Sequence, residues 1–258
     1  ICNSSIYESF FFDEIHRFRC VELDPKNLHA YITLASCYAN EMLTNQALDS
    51  LRKWLANNDK YSHLLVNRRS QTGTTDETRL IDELAFEELQ ELFLQAVSLS
   101  TNPSDIDSDL QVCLGILFHL PGDYDKAAEC FNTAVQAKPN DAMLWNKLGA
   151  ALANGGQSEK AVDAYYHALT LSPGFVRARY NLGISCFNLS AYKQAIEHFL
   201  TALKQQSDGI GPQGTHVQMS DNIWRTLTIA IGHLQRGDLE QAVANKDLTK
   251  LLHEFQIE

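Results

Sequence analysis

The chain has 258 residues, 45% of them hydrophobic and 21% charged, with a formal net charge of −11 and a pI near 5.2. That length can bury a substantial core without disulfides or metals, and it gives a prior of one or two domains. No apolar run reaches the ~18 residues of a membrane span, and an acidic surface suits basic peptides better than a phosphate backbone. Thirteen glycines and six prolines fall well short of the ~12% usual in ordinary domains, which favours helices over a turn-rich β-sandwich.

The start, Ile1-Cys2-Asn3, has no Met, no basic n-region and no cleavage site. It reads as a fragment or processed end without an export signal. Residues 1–12 show no repeat. Pro25, after Cys20-Val21-Glu22-Leu23-Asp24, reads as the tail of one helical unit. The next begins at Leu28 and carries Leu34-Ala35, Tyr38, Ala47 and Leu51. The phase then breaks, with about twelve extra residues in or near 67–82, a polar loop or disordered excursion. Leu84 to Leu99 resumes a helix in a degenerate unit, where a hinge is expected.

From Ser108 the pattern is regular. Leu114-Gly115, Leu148-Gly149 and Leu182-Gly183 recur every 34 residues, as do Ala127, Ala161 and Ala195, and Phe131, Tyr165 and Phe199. Pro139 and Pro173 close two of these units, since proline cannot donate the next helical bond. Large residues at unit positions 4, 7, 11 and 24 interlock, while small ones at 8, 20 and 27 let helices approach closely. Three units in register resemble the tetratricopeptide repeat. After Gln206 comes a Gly-rich loop, then two helices, about 220–235 and 238–255, expected to cap the array.

The expected fold is thus all-α: a tetratricopeptide-repeat superhelix, or α-solenoid, of about six to seven hairpins. Its divisions are an N-terminal repeat block (1–66), a polar loop with the degenerate hinge repeat (67–107), three regular repeats (108–206), and a Gly-rich loop with a C-terminal helical bundle (207–258).

Little suggests chemistry. Gly209–Gly214 spells GxGxxG, but a helix precedes it and Pro212 interrupts it, so it reads as a loop and not a dinucleotide fingerprint. No His/Cys cluster has zinc spacing, and no HExxH or GxSxG occurs, so neither enzyme activity nor a metal or cofactor is expected. The six cysteines include no CxxC pair, and most sit in apolar helical patterns. Reduced structural thiols, and an intracellular compartment, are the expectation. Asn3-Ser4-Ser5 and Asn188-Leu189-Ser190 match the glycosylation sequon, the second inside an expected helical hairpin.

The asparagines are more informative. Asn40, Asn154 and Asn188 share unit position 13, where the equivalent in the Ser108 unit is Leu120. Capping near a helix end is one account of them. It does not explain Asn146 or Asn181, which fall mid-helix, where Asn is a mediocre helix former. At 100° per residue, Arg177, Asn181 and Asn188 form one stripe, and Lys147 lies near Asn146 and Asn154. An Asn amide pairs both the N–H and the C=O of an extended peptide without reading its side chains. Arg177 and Lys147 could hold a terminal carboxylate. Together these residues suggest a groove for a C-terminal peptide.

Several segments look closer than generic repeats: Leu144-Trp145-Asn146-Lys147-Leu148-Gly149-Ala150, Arg179-Tyr180-Asn181-Leu182-Gly183-Ile184-Ser185-Cys186, Asn40-Glu41, and Asn222-Ile223-Trp224 after the Gly-rich loop. They resemble the family of receptors for type-1 peroxisomal targeting signals, over roughly residues 14–258. The resemblance implies a non-enzymatic receptor domain that binds Ser-Lys-Leu-type C-termini of cargo for matrix import. The receptor would be cytoplasmic and cycle to the peroxisomal (or glycosomal) membrane. The family's peptide-binding asparagines map onto Asn40, Asn146, Asn154, Asn181 and Asn188, and its basic groove residues onto Lys147 and Arg177. Ala39 matches a position beside the terminal-leucine pocket where the family usually has a hydroxyl residue, and Glu41 could face the signal's lysine. Import-machinery partners would dock through the family's long N-terminal half, whose WxxxF/Y motifs have no counterpart here. The alternatives are a repeat scaffold and a chaperone-type adaptor. A scaffold needs no asparagine-lined groove, and an adaptor for acidic C-termini would want a denser Lys/Arg cluster.

Overall fold

In a computed structural model, residues 24, 26–65, 86–99, 106–208 and 221–257 are described. The expectations for residues 1–12, Pro25, the polar loop of 67–82, the Gly209–Gly214 motif, Cys2, Cys20 and the Asn3 sequon lie outside them. The described residues are helical throughout, joined by turns. The chain divides into two compact units, residues 1–139 and 140–258.

In the first unit α1 (Leu28–Asn40) pairs with α2 (Thr44–Asn57) and also packs on α4 (Ser108–His119). Helix α3 (Phe86–Ser98) lies against α4, which makes a hairpin with α5 (Tyr124–Ala137). The expected helix from Leu84 is thus present from Phe86, with Phe93 and Ala96 fully buried. Trp54 stacks between Tyr61 and Phe93, at ring-centroid distances of 6.0 and 5.7 Å. The Tyr61 hydroxyl donates to Asp107 Oδ2 (2.9 Å), while Asp107 Oδ1 caps α4 by accepting from the backbone N–H of Asp109 and of Leu110, both at 3.1 Å. One carboxylate therefore fastens the 58–65 turn to the start of the regular repeats.

In the second unit α6 (Ala142–Asn154) pairs with α7 (Ser158–Leu171), and α8 (Val176–Asn188) with α9 (Tyr192–Asp208). Helix α10 (Asp221–His233) packs on α9. One continuous core runs through these helices, from Ala161 and Tyr165 through Leu182 and Phe199 to Trp224, Leu227 and Leu251.

The expected single helix over 238–255 is corrected by the structure. It is a 3-10 turn (Gly237–Leu239), α11 (Glu240–Ala244) and α12 (Leu248–Glu254). The break has a local cause: Lys246 adopts a left-handed φ of 51°, and the Asp247 side chain accepts from Lys250 N–H (3.0 Å) to cap a new helix. Leu239, Val243 and Leu251 still bury their side chains in the unit's core.

Two features explain the 34-residue period. Position 8 is glycine in three units because an aromatic ring of the second helix occupies the space of a side chain. A Cβ on Gly115, Gly149 or Gly183 would stand 2.6, 2.7 or 2.5 Å from Cε1 of Phe131, Tyr165 or Phe199. Position 15 is the left-handed residue that ends each first helix: Met42, Gly122, Gly156, Ser190 and, on α10, Gln235. The next residue's N–H then bonds back to a carbonyl five residues earlier, as in Asp123 to Phe118 (3.0 Å), Gln157 to Leu152 (2.8 Å) and Ala191 to Cys186 (2.9 Å). Arg236 N–H to the Ile231 carbonyl (3.3 Å) repeats the pattern. Helix α10 is therefore built as one more first helix.

Cys37, Cys113, Cys130 and Cys186 are free thiols, all buried. Burial pushes the Cys130 thiol up to about 12, far from a reactive thiolate. Among the described residues no group of His, Cys, Asp and Glu could hold a metal ion, and no helix is long and apolar enough to cross a membrane.

Candidate functional site

The second unit carries six of the nine candidate residues, all on its first helices. Asp141 starts α6 by accepting from Met143 and Leu144 N–H (2.9 and 3.4 Å). That start sets the rotation of Asn146, Lys147 and Asn154 along the helix. Helix α8 starts after the Pro173-Gly174 turn, which two side chains hold from different helices. Arg179 Nη2 and Gln205 Nε2 both donate to the Pro173 carbonyl, at 3.1 and 2.9 Å. The turn is thus fastened to α8 and α9 at once. Arg177, Asn181 and Asn188 then fall within a sector of roughly 40° on α8.

The structure brings two of these residues into direct contact. Asn181 Nδ2 donates to Asn146 Oδ1 at 3.3 Å, joining α8 to α6. Asn146 is only 7% exposed, whereas Asn181 is half-buried. The bond leaves the Asn146 amide N–H groups and the Asn181 carbonyl open among the described residues. Asn154, Arg177 and Asn188 are exposed, and their side chains make no hydrogen bond or ion pair among the described residues. Lys147 is half-buried.

The capping account of position 13 does not hold for Asn154 or Asn188. Each is the last residue of its helix, but the chain is turned by Gly156 and Ser190, two residues later, and by backbone bonds. In the first unit Asn40 has the same place at the end of α1, exposed, with Glu41 exposed beside it. Ala39 is half-buried against a small cluster of Leu34, Tyr38, Ala47 and Leu120.

Sequence reasoning missed a second contact of the same kind. The Tyr180 hydroxyl lies 3.3 Å from Thr226 Oγ1, joining α8 to α10. Tyr180 holds position 5, as Asn146 does, and Thr226 holds position 6, as Asn181 does. The signal was present, but the eleven residues inserted before α10 put it out of the 34-residue phase.

These repeats, with a glycine wedge at position 8, a left-handed turn at position 15 and polar bonds between successive first helices, make the chain a tetratricopeptide-repeat protein. Residues 122–174 match the family model described as tetratricopeptide repeat. MamA structures share the fold: an RS-1 double mutant at 18% identity, covering 77% of this chain and 96% of that one with a TM-score of 0.52, and an AMB-1 form at 16% identity, 76%, 99% and 0.50.

Within that class the sequence relatives are specific. The chain is 42% identical over 241 residues to the peroxisomal targeting signal receptor of Candida albicans, and 37% identical over 243 residues to that of Saccharomyces cerevisiae. It is 43% identical over 243 residues to the PEX5-related protein of Mus musculus. These alignments take in 92%, 92% and 93% of this chain but 40%, 39% and 42% of the relatives. The chain is thus homologous, over nearly its whole length, to peroxisomal targeting signal receptors, and spans about two-fifths of their length.

Proposed function

We propose that the chain is the cargo-reading part of a peroxisomal import receptor, binding the extended C-terminal peptide of its cargo. The observation that carries this reading is a run of side-chain amides on the first helices whose hydrogen-bonding groups are left open. Asn146 offers N–H donors, Asn181 a carbonyl, and Asn154 and Asn188 whole amides. Such groups match a peptide backbone and are indifferent to most side chains. Arg177, exposed and without an ion pair among the described residues, supplies a fork for a terminal carboxylate, and Lys147 adds a second cation. Asn40, with Ala39 and Glu41 beside it, is the first unit's counterpart and answers to the same assay. The homology to targeting signal receptors agrees with Ser-Lys-Leu-type signals as ligands. On this reading the further partners are import-machinery proteins, and the receptor moves between cytosol and peroxisomal membrane.

The test is fluorescence anisotropy with a labelled peptide ending in Ser-Lys-Leu, beside its C-terminal amide. Binding of the free acid that is lost on amidation is the expected result. Equal binding of both removes the carboxylate clamp, and no binding by folded protein removes the receptor reading in favour of a scaffold.

A further inference from the structure

The two contacts between positions 5 and 6 differ in one respect that fixes the direction of their protons. Thr226 has a single hydroxyl proton, and it is committed: Thr226 Oγ1 donates to the Asn222 carbonyl at 2.9 Å. With that bond made, Thr226 accepts in its 3.3 Å contact with Tyr180, and the Tyr180 phenol donates. The phenol then has no proton left. Its oxygen keeps an acceptor site, and its position is held by the ring, which packs on Phe199 at a centroid distance of 5.7 Å. Tyr180 is half-buried and adjoins Asn181, whose carbonyl is also open.

We propose that Tyr180 is a further ligand-contacting residue, a fixed acceptor for one backbone N–H of the bound peptide. The inference deepens the receptor reading and rests on it. Asn146 presents donors, while Asn181 and Tyr180 present acceptors. This series distinguishes the N–H from the C=O groups of an extended chain and so helps set which way the chain runs. Thr226 acts through Tyr180 and is a positioning residue, since it holds the phenol as a donor toward itself.

The experiment is an amide-to-ester scan of a peptide ending in Ser-Lys-Leu, each ester removing one backbone N–H, measured against wild type, Tyr180→Phe and Thr226→Val. In wild type the ester at the N–H facing Tyr180 should weaken binding about five- to tenfold, the worth of one hydrogen bond. In Tyr180→Phe the parent peptide should bind that much more weakly, and the same ester should cost nothing more. In Thr226→Val the freed phenol can donate to the ester oxygen, so the penalty at that position should shrink. Should Tyr180→Phe fail to fold, the Thr226→Val profile decides. An ester profile identical in wild type and variants overturns the assignment while leaving the receptor reading intact. A wild type that binds no parent peptide overturns both.

Discussion

At the scale of single residues, the repeat is maintained by steric exclusion and by chirality. The Gly149 wedge exists because Tyr165, itself 2% exposed, lies where a Cβ would go. The Gly149→Ala variant should therefore lose about 1–3 kcal/mol, the usual cost of overpacking a core, read as a lower urea midpoint with an unchanged slope. Position 15 works in the opposite sense. Ser190 holds a φ of 61° where Gly122 and Gly156 hold 90° and 77°. A side chain in that region is strained by roughly 1–2 kcal/mol, partly offset by glycine's greater freedom when unfolded. Ser190→Gly should stabilise the chain by about 1 kcal/mol in the same assay, and a loss of stability would contradict the strain argument. These two glycine positions are not equally legible. The wedge appears in the sequence as Leu-Gly every 34 residues. The left-handed turn is disguised wherever Met42, Ser190, Gln235 or Lys246 replaces glycine, so the break in the last expected helix leaves no glycine to mark it.

Among the elements, α8 matters most. Its start is held by Arg179 and Gln205 on the Pro173 carbonyl, and its middle is tied to α6 by Asn181 and to α10 by Tyr180. The Asn188→Ala change removes an exposed amide at the end of the helix and should weaken peptide binding several-fold with helicity and unfolding midpoint unchanged. Asn181→Ala removes both a proposed ligand group and the bond to Asn146, which stays buried with its carbonyl unpaired. It should weaken binding more and also lower the midpoint. Circular dichroism and peptide anisotropy on both variants separate these outcomes, and unchanged affinity in both removes α8 from the site. The stripe on α8 is legible from the rotation of about 100° per residue. Its partner on α6 is not, because a contact between helices 35 residues apart depends on how they pack.

For the molecule as a whole, charge and burial give a stability that depends on pH. Acidic residues outnumber basic ones by 21 to 11 over residues 1–139, but only by 11 to 10 over 140–258. The acidity thus belongs to the first unit, while the second carries a histidine that resists protonation. Burial, with the Arg179 charge adding to it, holds His198 down at about 4, against an ordinary 6.5. Tyr166 packs edge-on to it at 6.0 Å, and Glu197 is its chain neighbour. The unfolded chain therefore binds a proton that the folded chain refuses between those two values. Stability from this group is fully present above pH 6.5 and is lost as pH falls toward 4. Thermal unfolding midpoints should decline across that window, and the decline should be shallower in His198→Gln. Equal slopes in the two proteins would show that His198 is not the group responsible.

The all-helical class, the hairpin period, the wedge glycines and the stripe on α8 were all written in the order of residues along the chain. Each depends on periodicity or on one side chain excluding another, and neighbours along a helix have a fixed rotation. Which polar groups already have partners was settled by packing alone. Packing set Asn181 on Asn146, placed the Tyr180 hydroxyl against Thr226, left Asn154, Arg177 and Asn188 open among the described residues, and broke the last helix at Lys246. The reason is physical: a hydrogen bond is satisfied or left open by atoms a few ångströms apart, and chain spacing does not fix that distance once residues are inserted between repeats.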